Sequence, residues 1–428
     1  MLRRDFLRTS AAAATAALGP NLLLGETAAP SSRVGVALIG ANNMGGKTHL
    51  PTIIGESRIE LRAICEADSK VLDQALAKAR AGYAEKTKQS DYKGIDGIRD
   101  FRELLTRKDI DAVVIAVPDH WHVPMATQFV NAGKAVYVEK PLSLYISEGR
   151  DFANLVKQRK AIVQVGTQRR SMDDHIIACE LVRNGVIGKI RHVEVTLQTR
   201  SGTAEPWTPQ SVPPELDYEM WIGPGPMHPY HPDRVHYKFR FVAAYSGGDV
   251  TNMGAHYTDV AQWGLDMDES GPISVSGTGK CNPKGSIHDP FYDVDVDFEY
   301  ANGTTLKFKS GPGGVTFHGE KGTIHIGKQL RADPPELLRT KREAFPLRFR
   351  KTAGNHLPNW IQCILDNKPE NLHAPAEVGH RSATICHLAN IAMSAGRKLR
   401  WDPQAETFPD DAEATKLLTR ERRPAWMA

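Results

Sequence analysis

The sequence predicts an α/β protein with two domains: a doubly wound parallel sheet, followed by an α+β domain with an open, mostly antiparallel sheet. Three observations support this fold class. Apolar runs and amphipathic segments alternate from residue 33 to about residue 168, and period-two strand patterns replace them further on. The chain has 428 residues, which exceeds one ordinary hydrophobic core.

The first domain, residues 33–168, is predicted from repeated strand and helix patterns. "RVGVALIG" is continuously apolar, as expected for a strand covered on both faces, and "IDAVVIAVP", "AVYVEK" and "AIVQVG" repeat that pattern. Between these strands, "VLDQALAKARAGY", "HVPMATQFVNAGK" and "ISEGRDFANLVKQRK" have helical spacing. Strands and helices that alternate with short connections form a parallel sheet with helices on both faces.

The second domain, residues 169–400, has a different pattern. A helix at "MDDHIIACELVRNG" precedes the strand "IRHVEVTLQTR" and a long loop rich in Pro, Gly and Trp, residues 205–236. Later strands alternate apolar and polar residues, with a hairpin signal at Asn302-Gly303. We expect the open sheet face to expose apolar area and to support a homo-oligomer. Two final helices could pack back on the first domain, and residues 401–428 are predicted to form a polar tail.

The N-terminal segment, residues 1–29, has the pattern of a removable export signal. Arg3 and Arg4 precede Phe-Leu, a weakly apolar alanine-rich run follows, and small residues end the segment. Paired arginines indicate the twin-arginine route, with the translocase as a transient partner and a periplasmic or secreted location. The alternative is a basic amphipathic helix, which Gly19-Pro20 would break. No later stretch approaches the roughly 18 apolar residues of a spanning helix, so we expect no stable membrane anchor.

Composition narrows the function classes. The formal net charge is +4 and no Lys/Arg block occurs, so nucleic-acid binding is not expected. The sequence contains sixteen histidines but no H-E-x-x-H motif, and no metal site is predicted. The five cysteines show no close pair and indicate neither a disulfide framework nor a zinc site.

A glycine-containing turn after the first strand indicates nucleotide binding. In "IGANNMGG", the fingerprint G-x-G-x-x-G would require glycine at 40, 42 and 45, and the chain has glycine, asparagine and glycine there. Asparagine tolerates positive φ, so we expect the turn to persist with an altered phosphate contact. The predicted phosphate-binding residues are Gly40, Asn42, Asn43, Met44 and Gly45.

An acidic residue at the end of the second strand indicates which nucleotide binds. Glu66 lies 21 residues beyond Gly45, where a carboxylate would accept hydrogen bonds from a ribose diol. The same charge repels a 2′-phosphate, so NAD is favoured over NADP. Asp68 is the alternative for this role.

Two further strand ends carry recognisable motifs, "AVPDHWH" and "YVEKPLS". Together they resemble the Gfo/Idh/MocA family of oxidoreductases, which includes glucose–fructose oxidoreductase and inositol dehydrogenase. Val117-Pro118-Asp119 with His122 is similar to the family pattern Thr-Pro-Asn-x-x-His, with Val and Asp as departures, and Glu139-Lys140-Pro141 is similar to its Glu-Lys-Pro motif. The resemblance extends over the mature chain and looks like the branch with twin-arginine tags. It implies a Rossmann domain, an NAD cofactor and a carbohydrate substrate.

Lys140 is the first predicted catalytic residue. It follows a strand at the sheet edge where ligands bind, and partial burial beside a nicotinamide cation should lower its pKa, which suits it to deprotonate a sugar hydroxyl. The resemblance also implies that Pro141 is cis and orients the lysine. The further predicted cofactor contacts are Val117, Pro118, His120, His122, Glu139 and Pro141.

His256 is the second predicted catalytic residue. The family pattern Asp-x-x-x-His places an acid and a histidine on one helical face, and here Asn252 occupies the acid position. An amide orients an imidazole but does not stabilise its charged form, so His256 should be a weaker base than usual. Asp249 or Asp259 could substitute for the missing acid.

Substrate contacts are expected at the domain junction and in the long loop. Trp207, Tyr237 and Arg240 are additional loop candidates. The predicted substrate residues are Gln168, Arg169, Trp221, Arg234, His236, Asn252 and Asp259.

These observations predict hydride transfer between a carbohydrate C–OH and tightly bound NAD, because an exported enzyme has no obvious pool that recharges its cofactor. A redox-neutral, NAD-dependent glycoside hydrolase or epimerase that forms a transient keto-sugar is one alternative. A sugar-binding protein without catalysis is another, and Asn42 and Asn252 are the departures that favour it.

Overall fold

The computed structural model describes residues 33–349, 356–423 and 426, so the predicted export signal, residues 1–29, lies outside the described residues. The first sheet has six parallel strands in the order β3-β2-β1-β4-β5-β6. The predicted Rossmann sheet is confirmed, and its strand order reverses between β1 and β4, where ligands bind. The strands are β1 Val34–Ile39, β2 Ile59–Cys65, β3 Asp96–Ile98, β4 Ala112–Ile115, β5 Ala135–Val138 and β6 Val163–Val165.

Helices cover both faces of this sheet and form two apolar cores with it. A π-helical turn, Gly45–His49, leads into the first helix. The helices of this domain are α1 Leu50–Gly55, α2 Ser69–Thr87, α3 Asp119–Asn131 and α4 Ile146–Arg159. Asp68 starts α2 because its Oδ1 accepts hydrogen bonds from the Lys70 and Val71 amides, at 3.0 and 3.1 Å.

The second sheet has eight strands in the order β13-β12-β11-β7-β10-β9-β8-β14. Only β7 and β10 pair in parallel, so the predicted mostly antiparallel sheet is confirmed. Its strands are β7 Ile190–Leu197, β8 Ser274–Lys280, β9 Tyr292–Glu299, β10 Thr305–Ser310, β11 Gly314–Gly319, β12 Gly322–Ile326, β13 Leu330–Asp333 and β14 Leu399–Arg400.

One face of the second sheet packs against helices, and residues of both form a single core. Helix α9 instead packs on the first sheet through Leu357, Trp360 and Ile361, whereas most of the buried apolar residues of α10 belong to the core of the second sheet. The remaining helices are α5 Asp173–Arg183, α6 Tyr218–Ile222, α7 Asp249–Asn252, α8 Gly254–Gly264, α9 His356–Asp366, α10 Ala376–Ala395 and α11 Ala412–Lys416. Within the described residues, no helix is both long and apolar enough to cross a bilayer.

The open face of the second sheet is charged, which corrects the expectation that it exposes apolar area. On β9 the side chains of Val294, Val296 and Phe298 are buried, whereas alternate positions carry exposed aspartates. One of them, Asp297, pairs with Lys307 at 3.0 Å. This face carries ion pairs, so exposed apolar area on it cannot be the reason to expect a homo-oligomer.

The segment after residue 400 is packed, which corrects the prediction of a polar tail. Trp401 and Phe408 belong to the core of the second sheet, and β14 pairs with β8 immediately before them. Near the end of the chain, the Trp426 ring contacts Trp121, with 5.2 Å between ring centroids. The segment therefore contacts both domains.

Candidate active site

A cleft lies at the carboxyl ends of β1, β4 and β5, beneath the long loop. The turn after β1 forms one end of the cleft and Lys140 lies at the other. Ligands of doubly wound sheets bind at this point of strand-order reversal. The predicted residues that line the cleft are Gly40, Asn42, Asn43, Met44, Glu66, Val117, Pro118, His122, Glu139, Lys140, Trp221, His236 and Asn252.

The turn after β1 requires glycine at two positions. Gly40 has φ +83°, and a Cβ there would lie 2.5 Å from the Ala116 carbonyl oxygen. A Cβ on Gly45 would lie 1.8 Å from the Gly40 carbonyl oxygen. Gly45 does not line the cleft, so its role is to let the helix start directly against the turn.

Asn42 replaces the middle glycine of the fingerprint, and its backbone φ is not positive. Its side-chain oxygen accepts a hydrogen bond from the Asn43 amide at 2.9 Å. One amide of the turn is therefore engaged by a side chain rather than left open for a phosphate. The turn persists, as expected, but by a different backbone geometry.

Glu66 lies where the sequence places a ribose-binding acid. Its two carboxylate oxygens accept hydrogen bonds from the Ala41 amide at 2.8 Å and the Asp68 amide at 3.2 Å, and burial raises the pKa of this carboxyl. Each oxygen keeps a second lone pair for a diol. Asp68, the alternative, caps α2 instead.

His236 is brought to the nucleotide end of the cleft, which corrects its assignment to the substrate. Its Nδ1 lies 3.3 Å from Asn42 Nδ2, and its Nε2 lies 3.5 Å from Asp68 Oδ2. The loop therefore covers the turn after β1 and helps to enclose that end of the cleft.

Lys140 lies at the opposite end of the cleft and is joined to the following Pro141 by a cis peptide bond. Its Nζ donates to the Asn252 backbone oxygen at 2.9 Å and to Asn252 Oδ1 at 3.0 Å. Burial lowers the pKa of Lys140, and repulsion from Arg240 and Arg169 adds to this effect against the attraction of Glu139. The amine can therefore lose its proton more readily than an exposed lysine.

Glu139, in the wall of the cleft, is held by a residue that the sequence did not indicate. His49 Nε2 lies 2.8 Å from Glu139 Oε1, and both side chains are nearly fully buried. Burial raises the pKa of Glu139, but the hydrogen bond from His49 and the nearby charges outweigh it and hold the pKa below its usual range. Gln168, predicted to contact substrate, instead donates to Glu139 at 3.4 Å. A lone histidine in the π-helical turn carries no motif that could have revealed this pairing.

His122 connects the two motif loops. Its Nδ1 lies 2.6 Å from the Pro141 carbonyl oxygen and its Nε2 lies 2.9 Å from the Val117 carbonyl oxygen. Pro141 itself does not line the cleft. The imidazole thus fixes the backbone beside Lys140 relative to the loop after β4.

His120 does not reach the cleft, which corrects its assignment to the cofactor. It is buried against Trp221 and Tyr245, and its Nε2 lies 3.2 Å from the Trp221 carbonyl oxygen. Burial lowers its pKa to about 3. The start of α3 directs this side chain into the packing beneath the long loop.

His256 lies behind the wall of the cleft, four residues after Asn252. Its Nδ1 is buried and has no hydrogen-bond partner among the described residues. Burial lowers its pKa well below the usual value, and the charges of Lys140 and Arg169 lower it further. The imidazole is therefore neutral at neutral pH.

Neither candidate acid substitutes for the family aspartate. Asp249 is paired with Arg200, whose Nε lies 3.0 Å from its Oδ2. Asp259 is fully buried, and its Oδ1 accepts hydrogen bonds from Arg170 and Ser382, each at 2.8 Å. The assignment of Asp259 to the substrate is therefore wrong, because its carboxylate is saturated inside the second domain.

Arg234 also lies outside the cleft, since it is buried and lies 4.3 Å over the Trp207 ring. Arg169 lies 3.9 Å over the Tyr257 ring and is likewise not part of the cleft wall.

Among the described residues, no group of three His, Cys, Asp or Glu side chains could hold a metal ion. Arg240, one of the loop candidates, also lines the cleft, and the lining residues that the sequence did not indicate include Arg99, Trp121, Met220 and Phe239.

A doubly wound sheet, a glycine turn, a strand-end acid and a buried lysine at one cleft define a dinucleotide-dependent oxidoreductase. Family models agree with this class. The oxidoreductase family NAD-binding Rossmann fold of Gfo/Idh/MocA matches residues 34–167, and the family's C-terminal alpha/beta domain matches residues 179–428. The chain belongs to the Gfo/Idh/MocA family.

Individual relatives match less of the chain or are more distant. A "Glycosyl hydrolase family 109 protein 1" of Shewanella sp. strain ANA-3 is 30% identical over 209 residues, and the match spans 45% of each chain. GenD2 from gentamicin A biosynthesis, solved with NAD, covers 89% of this chain and 99% of its own at 19% identity and a TM-score of 0.62. The WlbA dehydrogenase of Bordetella pertussis, solved with NADH and UDP-GlcNAcA, covers 86% and 99% at 17% identity and a TM-score of 0.62.

The cleft fits NAD, and the prediction of this cofactor is confirmed by the matched NAD-binding domain. Gly40 brings the turn after β1 to the cleft without a side chain of its own, which allows a diphosphate to approach the backbone there. Glu66 is placed to accept hydrogen bonds from a ribose, and its charge disfavours a 2′-phosphate.

Proposed function

We propose that the protein oxidises a hydroxyl group of a sugar or sugar derivative, with NAD held tightly in the cleft. One observation carries this proposal. The Lys140 amine, whose pKa is lowered, lies in the same cleft as the Gly40 turn and is held by Asn252 from the second domain. A base at this point reaches a substrate placed between the two domains.

The protein's own groups can carry the proton. Lys140 Nζ, held between two oxygens of Asn252, would accept the hydroxyl proton as the O–H bond breaks and the carbonyl forms. Bound NAD supplies the acceptor for the hydrogen and electron pair that leave the carbon. His122 and the buried Glu139 hold the backbone around Lys140 in place.

Loss of the lysine amine tests this role. We expect Lys140→Ala to lower kcat by about 10²- to 10⁴-fold, the usual contribution of a general base. Lys157→Ala, at an exposed position of α4, should leave kcat unchanged. The measurement is absorbance of reduced cofactor in purified protein mixed with a panel of sugars, without added nucleotide. Equal rates for Lys140→Ala and the wild type would contradict the proposal.

A redox-neutral glycosidase is the second candidate, because the match to glycosyl hydrolase family 109 proteins favours it. Transient oxidation of the sugar by bound NAD would acidify the adjacent C–H and permit elimination of the aglycone; water would then add to the unsaturated keto-sugar, and return of the hydride to the ketone would complete the cycle. Nitrophenol release from nitrophenyl glycosides, without net accumulation of reduced cofactor, would support this candidate. Release that requires continued addition of NAD would count against it.

We further propose export by the twin-arginine route, on the sequence of residues 1–29 alone. Joint replacement of Arg3 and Arg4 by lysine should retain the protein in the cytoplasm when cell fractions are compared. A periplasmic protein after this replacement would contradict the route. The homo-oligomer stays a prediction, to be measured by sedimentation.

A further inference from the structure

Four buried nitrogen atoms without hydrogen-bond partners belong to three residues, one after β6, one on α5 and one on α8. Among the described residues they are Arg169 Nη1, His256 Nδ1 and both ring nitrogens of His175. His175 is only 6% exposed. Leaving a buried polar group unpaired costs about 1–3 kcal/mol, so this concentration indicates that a bound molecule supplies partners.

These groups belong to one site. Arg169 stacks on Tyr257, the residue that follows His256 on α8, at 3.9 Å. Burial lowers the pKa of His175 to about 4, and the charge of Arg169 lowers it further. The same charge acts on His256 and on Lys140, so Arg169 lies within electrostatic reach of both predicted catalytic residues.

Most carboxylates near these basic groups are already paired, whereas Asp119, whose charge also acts on Lys140, has a described hydrogen bond from the uncharged Ser246. Asp249 is bound by Arg200, Asp259 by Arg170 and Glu139 by His49. Among the described ion pairs, neither Arg169 nor Arg240 has a carboxylate partner. Lys140 adds a third basic group, held only by the uncharged Asn252.

We infer that the sugar that binds beside Lys140 carries an anionic oxygen group, which the guanidinium of Arg169 binds with His175 and His256 alongside. This inference rests on the proposed function and specifies its substrate class. A guanidinium group can donate paired hydrogen bonds to the oxygens of a carboxylate, a phosphate or a sulfate, so all three anions are candidates. Arg169 and His256 are each only partly buried, although neither lines the cleft that holds the Gly40 turn.

Calorimetric titration of the NAD-loaded protein tests the inference. The acidic probes are D-glucuronate, D-galacturonate, glucose 6-phosphate and glucose 6-sulfate, and D-glucose and D-galactose are their neutral counterparts. We expect at least one acidic sugar to bind about tenfold or more tightly than its counterpart, as a charge-assisted hydrogen bond provides. Preference for a uronate over the esters, or the reverse, identifies the anion.

Variants separate this site from general charge effects. Arg169→Gln should abolish the preference for acidic sugars, and Arg169→Lys should retain part of it because the positive charge remains. Arg191→Gln, on the exposed face of β7, is the matched control and should retain all of it. Thermal unfolding shows whether each variant is folded.

Two results overturn the inference: equal binding of acidic and neutral sugars, or a preference that survives in folded Arg169→Gln. If a neutral sugar nevertheless reduces the bound cofactor, the proposed function stands and only the acidic substrate class fails. If no sugar of either kind binds or reduces the cofactor, both proposals fail.

Discussion

The contact between Lys140 and Asn252 sets the electrostatics of the active site. Two oxygens of the asparagine hold the ammonium at 2.9 and 3.0 Å but add no negative charge. Burial therefore lowers the pKa of Lys140, and Glu139 is the principal charge that opposes this lowering. The asparagine at this position, which looks like a loss of function in the sequence, favours a lysine that acts as the base.

Adding a carboxylate at this position should reverse the effect. We expect Asn252→Asp to raise the pKa of Lys140, because an opposite charge within hydrogen-bond distance favours the ammonium form. If the neutral amine is the base, kcat/KM rises with pH through this pKa. The rising limb of the pH profile should lie below 10.5 in the wild type, the ordinary lysine value, and move upward in Asn252→Asp.

A variant without charge is the control for this shift. Asn252→Ala removes the side-chain hydrogen bond and introduces no carboxylate. We therefore expect kcat/KM to fall, while the rising limb of its pH profile does not move to higher pH. A limb at the same pH in Asn252→Asp and the wild type would show that Lys140 is not the titrating base.

At the residue scale, sequence motifs predicted the residues at the two ends of the cleft but not the side chains that hold them in place. Gly40, Glu66 and Lys140 lie at strand ends in recognisable patterns, and all line the cleft. His49 meets Glu139 across 90 residues, and His236 meets Asn42 across 194 residues. Pairings of this kind depend on how loops fold over the sheet, and no local pattern in a single sequence encodes them.

At the scale of elements, the start of the first helix depends on one backbone contact. We expect Gly45→Ala to lower the free energy of unfolding by about 1–3 kcal/mol, the usual cost of overpacking, because its Cβ would lie 1.8 Å from the Gly40 carbonyl oxygen. NAD affinity should fall as well, since the turn must shift. Denaturant titration and fluorescence titration with NAD measure the two effects.

Gly55 provides a matched control at the other end of the same helix. No atom lies within 4 Å of a Cβ built there, so Gly55→Ala should change the unfolding free energy by no more than about 1 kcal/mol, towards greater stability. Equal destabilisation by the two substitutions would show that the contact with Gly40 is not the cause.

The order of strands and helices could be predicted because the spacing of apolar residues, which indicates burial, is a local property of the sequence. Continuous apolar strands predicted the parallel sheet, and alternating strands predicted the antiparallel one. The same alternation did not reveal which residues face outward, so the aspartates of β9 were not recognised as a charged open face. The packing of residues after 400 was missed because a polar composition does not show two buried aromatic residues, Trp401 and Phe408.

At the scale of the whole molecule, the segment after residue 400 is tied to the helices by a buried ion network. Glu406 contacts Arg150 of α4 at 2.8 Å, and His380 and Arg381 of α10 at 2.9 Å each. Its side chain is only 7% exposed. Burial alone would raise the pKa of Glu406, but the hydrogen bonds from His380 and Arg150 outweigh it and lower the pKa to about 2.

This network makes stability depend on acid pH. Because the pKa of Glu406 is lower in the folded chain than the ordinary 4.5, its contribution is complete above about pH 4.5 and is lost as the pH falls towards 2. A shift of this size corresponds to about 3 kcal/mol. Glu406→Gln should lower the unfolding free energy by about that amount at pH 7.

Denaturant titrations between pH 7 and pH 3 measure this difference, which should shrink as the pH falls because protonation of Glu406 removes the same charge in the wild type. The control is Glu413→Gln, since the Glu413 side chain is 79% exposed and pairs only with Lys416 among the described residues. An exposed pair of this kind contributes less than about 1 kcal/mol. If Glu406→Gln is no less stable than Glu413→Gln at pH 7, the segment after residue 400 is held by its buried aromatic side chains alone.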